Sequence, residues 1–314
     1  MDRWRTGAFL LLGLGAMACG DGASSARPGT GGTRSDDAGA LGDAERGSDA
    51  SSPRADGATA DANGANGSRC TIVADAIACD HQTLTVSGRT VAYAVPLGVA
   101  PSAGWRSVIY FQGSFVPGDS GFVANKSDTF GRYELTLTIK ALLDRGYAVI
   151  APDAANNGSS FWQTNIPPYA QSWPGCADDA LMLSLFASIS KGDFGPIDSA
   201  RLYAMGISSG GFMTSRMAVS YAGKFRALAN HSASYATCGG QTCSVPTPLP
   251  SDHPPMIFLR GAQDTAVSMS IVQPYLDALK AEGHDGSFVT DADAGHEWLR
   301  EGPSAIPSWF DAHP

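Results

Sequence analysis

The chain has 314 residues, 43% hydrophobic and 16% charged, with a formal net charge of −9. That is enough for one large domain with a real core, or two small ones. The acidic balance, with no basic patch visible, argues against a nucleic-acid surface and reflects solubility more than partner choice.

Residues 1–19 read as an export signal rather than fold: Arg3 and Arg5, an apolar run around Leu10-Leu11-Leu12, then Ala16-Met17-Ala18-Cys19. The run is too short to span a bilayer permanently. Its end resembles a bacterial lipoprotein signal, in which Cys19 becomes the lipidated first residue. Plain cleavage after Ala18 with free secretion is the other outcome. Both take the protein out of the cytoplasm, either to the outer membrane or cell surface or into the medium. Residues 20–68 form a tether of Gly, Ala, Ser, Asp and Thr. They hold too little apolar surface to offset the entropy of ordering. A flexible chain of that length has a mean reach of about 40 Å.

A catalytic domain is expected over 69–314. Gln82–Val86 and Arg89–Val95 alternate with period two around Ser87-Gly88, the signal of a β-hairpin. Ser107–Phe111 and Tyr147–Pro152 are continuous apolar runs, as in strands buried on both faces. Leu135–Arg145, Asp178–Ser190, Gly210–Tyr221 and Val267–Glu282 read as helices; Arg201–Met205, Phe225–Ala229, Pro255–Leu259 and Ser287–Thr290 as further strands. This alternation predicts an α/β domain with a mostly parallel sheet and helices on both faces. Its chemistry belongs at the carboxyl ends of the strands.

Beyond Cys19 there are five cysteines, an odd number. In an oxidising compartment the economical pairs are Cys70 with Cys79 and Cys238 with Cys243. Cys176 is then left over, although its pairing with Cys238 or Cys243 stays open. No CxxC or finger-spaced histidine suggests a metal.

Gly206-Ile207-Ser208-Ser209-Gly210 matches G-x-S-x-G between a strand and a helix, the setting of a nucleophile elbow. A serine hydroxyl needs a base, and the base needs an orienting acid. Asp264 follows the strand ending at Leu259, and His296 follows the strand ending at Thr290, so both are expected on the edge that carries Ser208. Asp291 and Asp293 lie too near His296 in sequence to be its partner; His231 is the reserve base. The oxyanion should be met by the Ser209 N–H and by one from Gln112-Gly113-Ser114-Phe115. Gly113, Ser114 and Phe115 are the candidates, and Ser114 is chosen. Phe115, Phe161, Trp162 and Trp298 fall in loops near this edge and are expected to line an apolar substrate pocket. Asp178 and Asp179 are expected to cap the helix that they open.

With Phe111-Gln112-Gly113, Tyr147–Asp153, Cys176-Ala177-Asp178-Asp179, Tyr203–Met213, Arg260–Asp264 and Gly295–Trp298 in hand, residues 82–312 resemble a known group. It is the secreted polyhydroxybutyrate depolymerase and feruloyl esterase branch of the α/β hydrolases. The resemblance implies an α/β-hydrolase fold with an N-terminal hairpin and little or no cap. It also implies a serine carboxylesterase acting through an acyl-enzyme without metal or cofactor, and a small or polymeric ester as substrate: polyhydroxyalkanoate, feruloyl or acetyl. A monomer is expected, with no nucleic acid and no membrane contact beyond a lipid anchor. A serine peptidase of the prolyl oligopeptidase type could use the same triad. A non-catalytic surface binding protein on a hydrolase scaffold is the alternative from another class.

Overall fold

A computed structural model describes residues 67–239 and 243–314. The export signal, Cys19 and the tether up to residue 66 lie outside the described residues. The strands are β1 (Cys70–Val73), β2 (Ala76–Cys79), β3 (Gln82–Val86), β4 (Arg89–Ala94), β5 (Trp105–Phe111), β6 (Val123–Asn125), β7 (Tyr147–Pro152), β8 (Ile197–Ile207), β9 (Phe225–His231), β10 (Met256–Gly261) and β11 (Gly286–Asp291). The α-helices are α1 (Arg132–Asp144), α2 (Ala177–Lys191), α3 (Ser209–Ser220), α4 (Met269–Ala281) and α5 (Gly302–Ala312).

Eight strands form the central sheet in the order β11-β10-β9-β8-β5-β7-β4-β3. From β7 to β11 every pairing is parallel, and β4 and β3 add antiparallel at one edge. The expected hairpin joins β3 to β4 with Val86 opposite Arg89. Ser87 and Gly88 both take positive φ, 49° and 75°. That is the requirement of a two-residue turn matching the twist of the strands.

Side chains alternate across the sheet, and the two faces make two cores. Ile109, Phe111, Ile150, Leu202, Leu228 and Phe258 pack with α2, α3 and α4. Their sequence neighbours Val108, Tyr110, Val149, Tyr203, Ala229 and Leu259 pack with α1 and α5. Each large side chain buried in this way contributes roughly 1.5–3 kcal/mol. Tertiary packing rather than intrinsic propensity therefore holds these short helices. The alternation seen in sequence thus becomes an α/β sandwich.

Three features depart from the sequence reading. β8 begins at Ile197, where it pairs with Trp105, rather than near Arg201. β1, β2 and β6 form a separate small antiparallel sheet, and the Cys70–Cys79 disulfide ties β1 to β2. α5 was unexpected because Pro303 and Pro307 fall within it. Pro303 sits in the first turn, where the N–H has no intrahelical partner in any case, and Pro307 follows closely. Burial of Ile306 and Phe310 outweighs the loss. The remaining helices differ from expectation by at most three residues at either end.

Cys238 pairs with Cys243, and Cys176 is free and buried. Two disulfides fit an exported protein. Among the described residues no helix is long and apolar enough to cross a membrane.

Two histidines are buried neutral. His253 Nδ1 donates to the Pro254 carbonyl at 2.8 Å, so its Nε2 accepts from the Tyr275 hydroxyl at 2.7 Å. Burial holds its pKa down to about 4. His231 Nε2 accepts from the Leu299 N–H at 2.9 Å, and burial, followed by the nearby His296, lowers its pKa to about 3. In the unfolded chain both titrate near 6.5. Their contribution to stability is therefore complete above that value and is lost as pH falls towards 3–4. At pH 5 each should cost on the order of 2 kcal/mol, against a neutral-pH reference. Thermal unfolding followed by circular dichroism at pH 7 and pH 5 checks this; an unchanged Tm would contradict it.

Candidate active site

Ser208 stands between β8 and α3 at φ 54°, ψ −122°. This region strains any residue with a Cβ and persists only where the surroundings enforce it. The enforcement is visible. The Ser208 N–H donates to the His231 carbonyl at 3.0 Å. A Cβ on Gly206 would fall 2.3 Å from the Gly210 carbonyl oxygen, and one on Gly210 would fall 2.0 Å from that of Phe111. Only glycine lets β8, α3 and β5 approach this closely.

Asp264 lies in the turn after β10. Its Oδ1 accepts from the Ala266 and Val267 N–H groups, both at 2.9 Å, and its Oδ2 is 2.9 Å from His296 Nδ1. The carboxylate is fully buried, while His296 remains partly open. Burial alone would raise the Asp264 pKa. The bonds from His296 and from Val267 N–H outweigh it and hold the carboxyl below its ordinary value. Asp264 is not the cap of α4, whose N-cap position is Ser268. Arg260 braces the turn from beneath, donating to the Asp264 and Val267 carbonyls. Because β8 to β11 are parallel neighbours, Ser208, Asp264 and His296 all follow strand carboxyl ends on one sheet edge. Asp291 bonds instead to Arg300. His231 is no reserve base: it is enclosed, with its Nε2 lone pair already occupied.

The excursions 153–176 and 232–255, which rise from the same edge, contain only short 3-10 turns among the described residues. Their anchoring changes the reading of the aromatics. Trp162 and Trp298, expected on a pocket wall, are both buried. Trp298 stacks on His231 at 4.5 Å between ring centroids, and its Nε1–H donates to Thr138 Oγ1 at 2.9 Å. Trp162 packs edge-on against Phe111, with its Nε1–H on the Gln112 carbonyl at 3.1 Å. Both indoles find their polar partner inside the protein, which is the usual reason for a tryptophan to be enclosed. Phe115 and Phe161 do face solvent, 60% and 38% exposed, as an edge-to-face pair 6.0 Å apart.

The Phe115 N–H donates to the Ser160 carbonyl at 2.8 Å, which removes it from the oxyanion candidates. Among the described residues neither the Gly113 nor the Ser114 N–H has a protein acceptor. The Ser209 side chain has a partner of its own: its Oγ accepts from the Trp162 N–H at 2.9 Å. The residue capping α2 is Cys176, whose Sγ accepts from the Asp179 N–H. Asp178 instead is buried against Arg89 at 2.6 Å and takes the Gln163 N–H. Asp179 accepts from the Gly175 N–H and from the Tyr221 hydroxyl.

Sequence reasoning missed the Gln112 side chain. Fully buried, it donates to the Gly158 carbonyl at 2.8 Å and accepts from the Ala154 N–H at 3.2 Å. It also missed Phe130, 59% exposed at φ 62°, whose carbonyl accepts from the Trp298 N–H at 3.0 Å. The only signal for it was an aromatic set beside Gly131 ahead of a helix.

No protein-family model matches the chain. A poly(3-hydroxyoctanoate) depolymerase of Pseudomonas fluorescens is 44% identical to it over 243 residues, covering 76% of this chain and 86% of the relative. The chain belongs to the family of that depolymerase. Among solved structures, an acetyl xylan esterase from Aspergillus awamori superposes with a TM-score of 0.53 at 18% identity, over 74% of this chain and 99% of its own. A phospholipase/carboxylesterase from Dyadobacter fermentans DSM 18053 gives 0.51 at 18% identity, over 73% and 99%. These likenesses show the α/β-hydrolase fold. This member of the depolymerase family is a carboxylic ester hydrolase of the serine-esterase type.

Proposed function

We propose that Ser208 is the nucleophile, His296 the general base and acid, and Asp264 the group that orients and stabilises His296. The oxyanion donors are the Ser209 N–H and one N–H of the Gly113-Ser114 segment, with Ser114 first choice. The observation that best supports these roles is the 2.9 Å bond between His296 Nδ1 and the buried Asp264 carboxylate. It commits Nδ1 to carrying a proton and leaves Nε2 as the basic nitrogen. Ser208 Oγ attacks the ester carbonyl carbon and passes its proton to Nε2. The tetrahedral oxyanion collapses, and the departing alcohol takes that proton, leaving an acyl-enzyme. Water then attacks the acyl carbon, His296 accepts its proton, and the acid leaves as Ser208 Oγ is reprotonated.

The proposed substrate is a polyester of 3-hydroxyacids with apolar side chains, the kind of polymer named for the Pseudomonas relative. Support comes from three exposed phenyl rings, Phe115, Phe130 and Phe161, on loops tied to the catalytic edge. Phe115 and Phe130 hold positive φ, 66° and 62°, which is unfavourable for a bulky residue and gains them no burial. Rings kept in water at that cost are suited to meeting an apolar chain. Lipidation at Cys19 would hold the enzyme at a membrane, with the 20–68 tether as spacer.

A panel of straight-chain nitrophenyl esters, feruloyl and acetyl esters and polyhydroxyalkanoate films tests the assignment. With Phe115→Ser and Phe161→Ser combined, film hydrolysis is expected to fall about tenfold or more, since burying two rings contributes a few kcal/mol. Acetyl ester hydrolysis should change less than about twofold, having little apolar surface to lose. Equal loss on both substrates would refute the polymer-contact role. Wild type inactive on films would refute the polymer assignment while leaving the esterase intact.

A further inference from the structure

We propose that Trp162 is a positioning residue of the oxyanion site: its indole N–H fixes the Gln112 carbonyl and so aims the amide of Gly113 and anchors the segment that carries the Ser114 amide, while Ser209 Oγ couples this brace to the helix that follows Ser208. The inference rests on the catalytic assignment of Ser208 above.

A trans peptide points its C=O and N–H in opposite directions. The peptide joining Gln112 to Gly113 is not among the cis bonds, which are both X-Pro. Its oxygen is held by Trp162 Nε1–H at 3.1 Å. That same oxygen lies against the first turn of α3, since a Cβ on Gly210 would stand 2.4 Å from it. With the oxygen pinned on this side, the Gly113 N–H is turned to the other. Gly113 itself lies beside the elbow, its Cβ position 3.4 Å from Ile207 Cγ2.

The brace is closed by two further bonds. The Trp162 N–H reaches Ser209 Oγ at 2.9 Å, so the side chain next to the nucleophile holds the backbone of the residue that holds the loop. The Gln112 side chain grips Gly158 and Ala154 from the other end. All four groups are sealed from solvent, where hydrogen bonds are strong and their loss is costly. Donors aimed before the reaction begins need no reorganisation when the oxyanion forms. Trp162 touches neither the reacting atoms nor solvent, so it can act only through the segment that it holds.

Trp162→Phe keeps a ring against Phe111 but removes the indole N–H together with part of the buried ring volume, so Tm is measured beside kcat. On a nitrophenyl ester, kcat is expected to fall about 10- to 100-fold, somewhat less than for deletion of an oxyanion donor, with KM changed by less than about threefold. Affinity for an alkyl boronic acid, which forms a tetrahedral anion on the serine, should fall with kcat. Ser209→Ala frees the same brace from its other end without touching the ring, and should also lower kcat rather than raise KM. The double variant should be little worse than Trp162→Phe alone, because both act through one chain of contacts. A folded Trp162→Phe enzyme with kcat within twofold of wild type would overturn the proposal. So would strictly additive losses, or a lower Tm with unchanged kcat and boronate affinity. Should Trp162→Phe not fold, Ser209→Ala decides by the same two readouts. Ser208→Ala run in parallel separates the failures: an active Ser208→Ala enzyme refutes the catalytic reading, and an inactive one with an unaffected Trp162→Phe refutes only the brace.

Discussion

Ser208→Ala is expected to lower kcat for a short acyl ester by about 10⁵- to 10⁶-fold, the scale on which serine hydrolases lose their nucleophile. The reaction has no substitute at this position. The neighbouring hydroxyl of Ser209 is buried and accepts the Trp162 N–H, so it is turned away from the role. The strained backbone of Ser208, at φ 54° and ψ −122°, is imposed by its glycine-lined surroundings rather than by the hydroxyl. Alanine adopts it at similar cost, and Tm should move by only a few degrees. Initial rates on a nitrophenyl ester, together with labelling by a fluorophosphonate probe, check the result. Activity or labelling that survives in the variant would move the nucleophile elsewhere in the chain.

The second large effect is expected for Asp264→Asn, a loss of about 10⁴-fold in kcat with little change in fold. The reason can be followed atom by atom. Asp264 Oδ1 accepts the Ala266 and Val267 N–H groups, so an asparagine will keep its oxygen there. Its NH2 must then face His296 Nδ1, where Asp264 Oδ2 now lies at 2.9 Å. Two donors cannot share that contact, so the imidazole carries its proton on Nε2 and Nδ1 becomes the acceptor. Nε2 then has no lone pair with which to take the Ser208 proton. A kinetic assay with a parallel unfolding curve separates this from instability. If kcat stays within tenfold of wild type, the orienting role of Asp264 is refuted.

Much of this site was legible because its parts are local. Gly206, Ser208 and Gly210 fall within five residues, between a buried strand and a helix, and the elbow geometry follows from that order. Asp264 and His296 each stand a few residues beyond a strand that the sequence pattern marks, an apolar run for Asp264 and the short Ser287–Thr290 segment for His296. In a parallel sheet, residues after strand ends share an edge however far apart they are in sequence. The disulfides Cys70–Cys79 and Cys238–Cys243 close short loops and are the economical pairs, while the fold settles that Cys176 is the one left free.

What stayed hidden depended on partners far away along the chain. Trp162 and Trp298 look in sequence like Phe115 and Phe161, aromatics in loops beside the chemistry. Only the fold gives Trp298 a hydrogen-bond partner 160 residues away at Thr138, and Trp162 a carbonyl 50 residues away at Gln112. Those bonds let two indoles be enclosed while the phenyls stay in water. Among the candidate oxyanion amides, only the fold removes Phe115, whose N–H lies on Ser160, because a backbone donor leaves no mark in residue identity. α5 and the small sheet of β1, β2 and β6 were missed for a related reason. Their local signals are weak or contradicted by proline, and burial against distant elements decides them.

By itself, then, the sequence determined the α/β order of the domain and the strand–turn–helix at Ser208, and it singled out Asp264 and His296 as candidates and two economical disulfide pairs. Each is written in periodicity or in short spacings. The tertiary structure decided which aromatics are enclosed and which are exposed, which amides of the Gln112–Phe115 segment lack a protein acceptor, and how hydrogen bonds join Trp162, Gln112 and Ser209. Those are contacts between segments 40 to 160 residues apart, whose geometry exists only once the sheet has brought them together.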